Sequence, residues 1–108
     1  MRKTEELQKL YDELKHKNLR YKMGVVCGEM LYSTMKFDDF HEMVQEAERI
    51  SERYDDIQRC SFVFQAYRDD SYNFETVCFF QTKCCVYDIR RKVTDMARCI
   101  LEKLKGGE

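Results

Sequence analysis

Residues 60–82 have the sequence CSFVFQAYRDDSYNFETVCFFQT. Phenylalanine, valine, tyrosine and threonine are concentrated towards both ends of this stretch, and these residue types favour β-strands. An Asp-Asp-Ser segment at positions 69–71 separates the two ends, and aspartate and serine are typical of turns. The stretch therefore predicts a β-hairpin with strands over residues 58–67 and 72–82.

Side-chain alternation in this hairpin predicts which face is buried. A connecting loop of three or five residues places a mainly apolar set on one face: Cys60, Phe62, Phe64, Ala66, Phe74, Thr76, Cys78 and Phe80. A two-residue loop would instead place Phe64 opposite Glu75. Because a shift of one residue exchanges the two faces, the first register is favoured. Several of the same residues also satisfy helical spacing, so an all-α helical bundle is the alternative.

The second face of the hairpin carries Val63, Tyr67, Val77 and Phe79. Apolar surface of this extent is either covered by another element or marks an interaction site. Aromatic side chains are also enriched in protein interfaces. We therefore expect a helix or a second chain to cover this face. If a second chain does, in a homodimer or with a different protein partner, Tyr67 and Phe79 are the expected contacts.

Three other segments have the apolar spacing of amphipathic helices. Residues 4–17, 38–55 and 83–105 each place an apolar residue at every third or fourth position, which is the pattern of a helix with one buried face. Residues 20–35 fit both helical spacing and strand alternation, and a strand over residues 20–27 is favoured.

These elements predict an α+β fold. An antiparallel β-hairpin or small sheet is expected to pack against three helices, with the all-α bundle as the alternative. The chain has 108 residues, which is the size of one domain, so residues 1–108 are expected to form a single unit. The sequence contains no internal repeat and no low-complexity linker.

Charge is segregated along the chain although the formal net charge is only −1. Residues 38–56 contain eight acidic residues and two arginines, a net charge of −6. This acidic helix predicts a second protein-binding surface, with Asp39, Glu42 and Glu46 as its candidate contacts. A simpler explanation of such a charge run is a solvent-exposed helix face whose charges form ion pairs with other elements of the same fold.

The basic segments predict an alternative function. Residues 83–105 have a net charge of +4 and residues 1–22 a net charge of +3. Clustered lysines and arginines bind the phosphates of nucleic acids. A nucleic-acid-binding regulator would use the basic segments 15–22 and 83–98. Its candidate contacts are Lys15, Lys17, Arg20, Arg91 and Arg98.

Six cysteines are present, but their spacing does not indicate a metal site. Structural zinc sites use pairs of the form Cys-x2–4-Cys, and no two cysteines of this chain have that spacing. The amino terminus lacks the apolar core of a secretory signal. A cytoplasmic location is therefore expected, where all six cysteines stay reduced and pack as small apolar side chains.

The chain lacks the motifs on which an enzymatic reading would depend. No Gly-rich phosphate loop, His-Glu-x-x-His or Gly-x-Ser-x-Gly pattern occurs. His16 and His41 lie in polar surroundings, and neither is close in sequence to a recognisable cysteine or serine nucleophile. We expect no catalytic residues, no metal, no cofactor and no membrane association.

Small size, absence of proline, lack of a targeting signal and segregated charge also characterise a broader class of proteins. In these properties the chain resembles small accessory proteins of bacteria and their phages, including inhibitors of host defence such as anti-CRISPR proteins. The resemblance implies a small non-enzymatic regulator or inhibitor that acts through protein–protein contacts.

Overall fold

The fold is α+β, as predicted, and the all-α alternative is wrong. The computed structural model describes residues 3–53, 60–69 and 73–106. In these ranges three helices alternate with two pairs of strands. The elements in chain order are α1 (Lys3–Lys15), β1 (Arg20–Cys27), β2 (Met30–Phe37), α2 (Phe40–Arg53), β3 (Cys60–Asp69), β4 (Phe74–Lys83) and α3 (Val86–Gly106).

The four strands form one antiparallel sheet in the order β2-β1-β3-β4. In the helical layer, α2 contacts β1 and β2, α3 contacts β4, and α1 packs against α2 and α3. The Cα atoms extend over 42 × 39 × 19 Å, which fits one sheet and one layer of helices. We call the sheet face under the helices the inner face and the opposite one the outer face.

The core lies between the inner face and the helices. Its largest fully buried apolar side chains come from both layers: Tyr21, Met23, Phe40, Met43, Phe62, Phe64, Ile89 and Ile100. The ring of Tyr11 on α1 lies 5.8 Å from that of Phe40, which joins the first helix to this core. Burial of these side chains supplies most of the favourable free energy of folding.

The β3–β4 hairpin has the predicted buried face over most of its length. Phe64 pairs with Phe80 and Ala66 with Cys78, and both pairs lie on the inner face. A β-bulge between Ala66 and Tyr67 then shifts the register. A bulge adds one residue to one strand, so the residues beyond it exchange faces.

The bulge moves Phe74 and Thr76 away from the predicted inner face. Gln65 Nε2 donates a hydrogen bond of 2.8 Å to Thr76 Oγ1, and the Tyr67 and Phe74 ring centroids are 5.0 Å apart. Gln65 and Tyr67 belong to the outer face, so their partners do as well. The prediction for these two residues is therefore wrong.

The strand over residues 20–27 is confirmed, and a second strand follows it that the sequence did not predict. β1 and β2 are joined at Gly28-Glu29, since Cys27 pairs directly with Met30. Gly28 has a φ of 64°. Two-residue hairpin loops of the II′ type require a positive φ at their first position, which glycine adopts without strain.

Helix boundaries agree with the predicted ones to within three residues where they can be compared. Asp39 caps α2, because the Glu42 backbone N–H donates to Asp39 Oδ2 at 3.3 Å. The predicted end of this helix at residues 54–55, the strand start at 58–59, and residues 70–72, which cover most of the predicted turn and the start of the second strand, lie outside the described residues.

Replacing Gly28 by alanine is expected to lower the free energy of unfolding by about 1–2 kcal/mol, the cost of a Cβ in left-handed backbone. An added Cβ would meet no atom within 4 Å, so backbone strain is the only penalty. Gly28→Asn should cost less, since asparagine tolerates this conformation. Urea unfolding measures both. Equal stability of the wild type and Gly28→Ala would contradict the turn assignment.

Candidate functional site

The outer face of the sheet exposes several large apolar side chains among the described residues. No described helix packs on this face. It carries aliphatic and aromatic side chains from all four strands: Val26, Leu31, Val63, Tyr67, Phe74 and Phe79. Leu31 and Phe79 are each 62% exposed, and Phe74 is 56% exposed. An exposed apolar sheet face of this kind makes the outer face the candidate interaction site.

Leu31 lies beside the centre of the sheet because Gly24 leaves space for it. A Cβ added at Gly24 would come within 3.1 Å of Leu31 Cδ1. The strand pairing places Val26 opposite Leu31 on one side and Ser61 on the other. The aliphatic part of the outer face is thus built by the β1–β2 hairpin.

At one end of the outer face, three side chains form a compact cluster. Lys22 Nζ lies 5.0 Å from the Tyr67 ring centroid and 5.3 Å from that of Phe74. These distances are typical of cation–π contacts. Tyr67 is only 3% exposed as a result. Of the two predicted contacts on this face, Phe79 is therefore accessible and Tyr67 is covered.

Cations surround the apolar part of the outer face. Lys22 pairs with Lys36 across β1 and β2, and Lys83 pairs with Ser61 at the far end of β4. Lys36 and Lys83 are exposed, whereas Asp69 is an acidic residue at the opposite corner. The outer face therefore combines an apolar centre with a mainly positive periphery.

The acidic residues predicted as contacts lie in the helical layer, away from Phe79. Asp39 is used as the helix cap. Glu46 forms an ion pair with Arg49, whose hydrogen bonds hold the pKa of the Glu46 carboxyl below its usual value. Glu42 is exposed on the first turn. Ion pairing within α2 therefore reduces the negative electrostatic potential of this helix.

Residues predicted to bind nucleic acid are also involved in ion pairs within the fold. Three of the five pair with acids: Arg20 with Asp38, Arg91 with Asp88 and Arg98 with Glu6. Lys15 and Lys17 are exposed at the end of α1. Pairing of this kind lowers the positive potential that phosphate binding requires.

A groove of about 610 Å³ opens between α2 and the β1–β2 end of the inner face. Its lining is mostly apolar, with Arg49, Arg53 and Glu46 as the charged side chains. Its floor includes Cys27 and Cys60, which are joined by a disulfide bond. The expectation that all six cysteines stay reduced is therefore wrong for this pair. They are 33 residues apart in sequence, and only the pairing of β1 with β3 brings them together.

The remaining cysteines are thiols. Cys78 Sγ and Cys99 Sγ are 4.0 Å apart between β4 and α3. Burial, together with the neighbouring Cys99, raises the pKa of the Cys78 thiol to about 11. Cys78 therefore stays protonated at neutral pH and packs as a small apolar residue, as predicted.

Among the described residues, no group of three or more His, Cys, Asp or Glu side chains is arranged to hold a metal ion. No helix in the described ranges is long and apolar enough to cross a membrane. No protein-family model, curated protein or solved structure matches this chain.

Proposed function

We propose that this protein is a small non-enzymatic regulator that binds a protein partner through the outer face of its sheet. The observation that carries the proposal is the exposure of Phe79 and Leu31 on a sheet face that no described helix covers. Large aromatic and aliphatic side chains of this kind are the usual centre of a protein interface.

The dimensions of the sheet suit such an interface. Four strands spaced by about 4.8 Å, each about eight residues long, give a projected area of roughly 500 Å². Side-chain relief increases the accessible area above this projection. A standard interface buries about 800 Å² on each partner, so the outer face and its rim supply most of one interface.

The positive periphery indicates the chemistry of the partner. Lys36 and Lys83 flank the apolar centre, and Lys22 lies at one end of it. Complementary charge is the rule across specific interfaces. The partner is therefore expected to present an apolar patch bordered by aspartate and glutamate. A second copy of this chain would oppose like charges, which makes a homodimer through this face the less favoured outcome.

An inhibitor of a bacterial defence protein, of the anti-CRISPR kind, is one example of this function. An inhibitor that occupies a surface of its target would need no catalytic residue. The open sheet face supports the general mode of action, and the target itself is a matter for experiment.

Phe79→Lys is expected to weaken partner binding by at least about thirtyfold, the effect of losing an interface hot spot. Phe79 is mostly exposed, so the variant should fold normally. A photo-reactive phenylalanine analogue at this position would cross-link the partner in the cells that encode the protein. Isothermal titration with the purified partner then gives the dissociation constants.

Glu42→Lys is the matched control, since Glu42 is exposed in the helical layer. It should leave the dissociation constant unchanged. The reverse pattern, a loss with Glu42→Lys alone, would identify the acidic helix as the binding surface instead. A doubled mass in light scattering that Phe79→Lys abolishes would identify a second copy of the chain as the occupant.

Nucleic acid is the second candidate, because lysine and two aromatic rings lie together at Lys22, Tyr67 and Phe74. Aromatic side chains and cations on an open sheet are typical of single-strand binding. Fluorescence anisotropy with a labelled single-stranded oligonucleotide tests this candidate. Binding that weakens steeply with salt and is lost in Phe74→Ala would support it over a protein partner.

A further inference from the structure

Three cysteines lie side by side on the inner face: Cys27 ends β1, Cys60 begins β3 and Cys84 directly follows β4. Cys27 of β1 pairs with Cys60 of β3. Ser61 pairs with Lys83, so Cys60 and Cys84 are opposite each other at the next position, and the Cys84 backbone N–H donates to the Cys60 carbonyl at 3.1 Å. Cys60 therefore has one cysteine on each side.

Both neighbours of Cys60 are within disulfide reach. The Cα atoms of Cys27 and Cys60 are 4.1 Å apart in the bonded pair. Opposite residues in a hydrogen-bonded antiparallel pair have Cα atoms about 5.5 Å apart, which is close to the commonest Cα separation across a disulfide bond. A bond between Cys60 and Cys84 therefore requires no change in strand pairing.

We propose that Cys27, Cys60 and Cys84 form a thiol–disulfide exchange site. The Cys84 thiolate attacks Cys60 Sγ, a bond forms between these two sulfur atoms, and the bond from Cys60 to Cys27 breaks. Cys27 leaves with the electron pair as a thiolate and takes up a proton from solvent, which replaces the one that Cys84 lost. The exchange needs no external oxidant, because one disulfide is present before and after it.

The order of the strands suits this reaction. Attack on a disulfide proceeds along the axis of the bond that breaks. Since the strand order is β1-β3-β4, the leaving and central sulfur atoms belong to two successive strands, and the attacking one belongs to the residue that directly follows β4. Ser51 Oγ lies 3.9 Å from Cys84 Sγ and holds the thiol against α2 in the starting state.

The two bonding states differ in which thiol is accessible. All three cysteines line the groove, but Cys60 and Cys84 are each only 7% exposed, whereas Cys27 is more exposed. Exchange therefore converts a buried thiol at Cys84 into an accessible thiol at Cys27. It also moves the covalent link from the β1–β3 pair to the β3–β4 pair, independently of what binds the outer face.

The test locates the disulfide by peptide mapping of the native protein. The protein is incubated at about pH 8, near the pKa of a free cysteine, then quenched in acid, alkylated with N-ethylmaleimide and digested with trypsin. The three cysteines fall in the separate peptides 23–36, 60–68 and 84–90. We expect a fraction of molecules with peptide 60–68 linked to 84–90 and with Cys27 alkylated.

Three variants assign the bond. Cys84 and Cys85 lie in the same peptide, and two variants distinguish them. Cys85→Ser should retain the new linkage. Cys84→Ser should abolish it, and any linkage that remains in this variant is the background of the measurement. Cys27→Ser should form the Cys60–Cys84 bond in almost all molecules in a glutathione redox buffer. The proposal is overturned if wild-type protein shows no such linkage above the Cys84→Ser background. It is equally overturned if Cys27→Ser leaves Cys60 and Cys84 both alkylated.

Discussion

Phe64→Ala is expected to lower the free energy of unfolding by about 3–5 kcal/mol, the largest effect of any single change considered. Phe64 is 1% exposed and lies at the centre of the inner face. It pairs with Phe80 across β3 and β4, and its ring centroid is 5.9 Å from that of Phe62. Alanine would leave a cavity that these neighbours cannot fill.

Phe79→Ala is the matched control because it removes the same atoms from the opposite face of the same sheet. Phe79 is 62% exposed, so its truncation should change stability by no more than about 0.5 kcal/mol. Urea unfolding followed by circular dichroism gives both values. Equal losses for the two variants would mean that the outer face is covered and would remove the basis of the proposed binding surface.

The sheet face on which these phenylalanines lie could be predicted from the sequence because strand alternation is a local signal. Phe62 and Phe64 lie on one face, whereas the other face has the polar residues Ser61 and Gln65 beside Val63. The three helices have an equally local signal in their repeated apolar positions. For such elements the pattern of burial follows from residues a few positions apart.

The second strand could not be predicted in the same way. Residues 30–37 have exposed apolar side chains at Met30 and Leu31, and their alternation is broken by an irregularity in the pairing of β1 with β2. The turn that starts this strand depends on Gly28 alone. The register shift beside Tyr67 is a similar case, because no residue type specifies where a bulge occurs.

Long-range contacts decide which candidate residues are available. Tyr67 is covered by Lys22, which is distant in sequence but adjacent in the sheet. Arg98 is engaged in an ion pair with Glu6, far from it in sequence, that a charge count along the chain does not show. For the same reason the sequence does not predict that Cys27, Cys60 and Cys84 are neighbours, since their proximity depends on the strand order. Of the two residues predicted as contacts on the outer face, Phe79 is the one that remains accessible.

Asp88→Ala is expected to lower the free energy of unfolding by about 1.5–3 kcal/mol at neutral pH, the range for hydrogen bonds to a buried charged group. Asp88 is buried in the first turn of α3. Its Oδ2 accepts a 2.8 Å hydrogen bond from the Lys83 backbone N–H, and its carboxylate pairs with Arg91 and Lys92. These contacts fix the passage from β4 into the last helix and cover part of the exposed edge of β4.

The stabilisation that Asp88 provides, and with it the cost of Asp88→Ala, should decrease as the pH falls. Burial opposes ionisation of Asp88, but the hydrogen bonds from Arg91, the Lys83 N–H and Lys92 outweigh it and lower its pKa to about 2. The folded-state value lies below the unfolded value of about 3.9, so the stabilisation is complete above about pH 5 and is lost as the pH falls towards 2. Arg91 and Lys92 are largely solvated, which reduces the pH-dependent part to about 1–2 kcal/mol.

Asp88→Asn separates the charge from the backbone hydrogen bond, because an amide oxygen still accepts from the Lys83 N–H. Its stability deficit relative to the wild type should be largest near neutral pH and should shrink between about pH 4 and pH 2. Asp95→Asn, an exposed change on the same helix, should cost no more than about 0.5 kcal/mol. Urea unfolding across this pH range provides the comparison. A deficit that stays constant down to pH 2 would show that the Asp88 charge does not hold the strand to the helix.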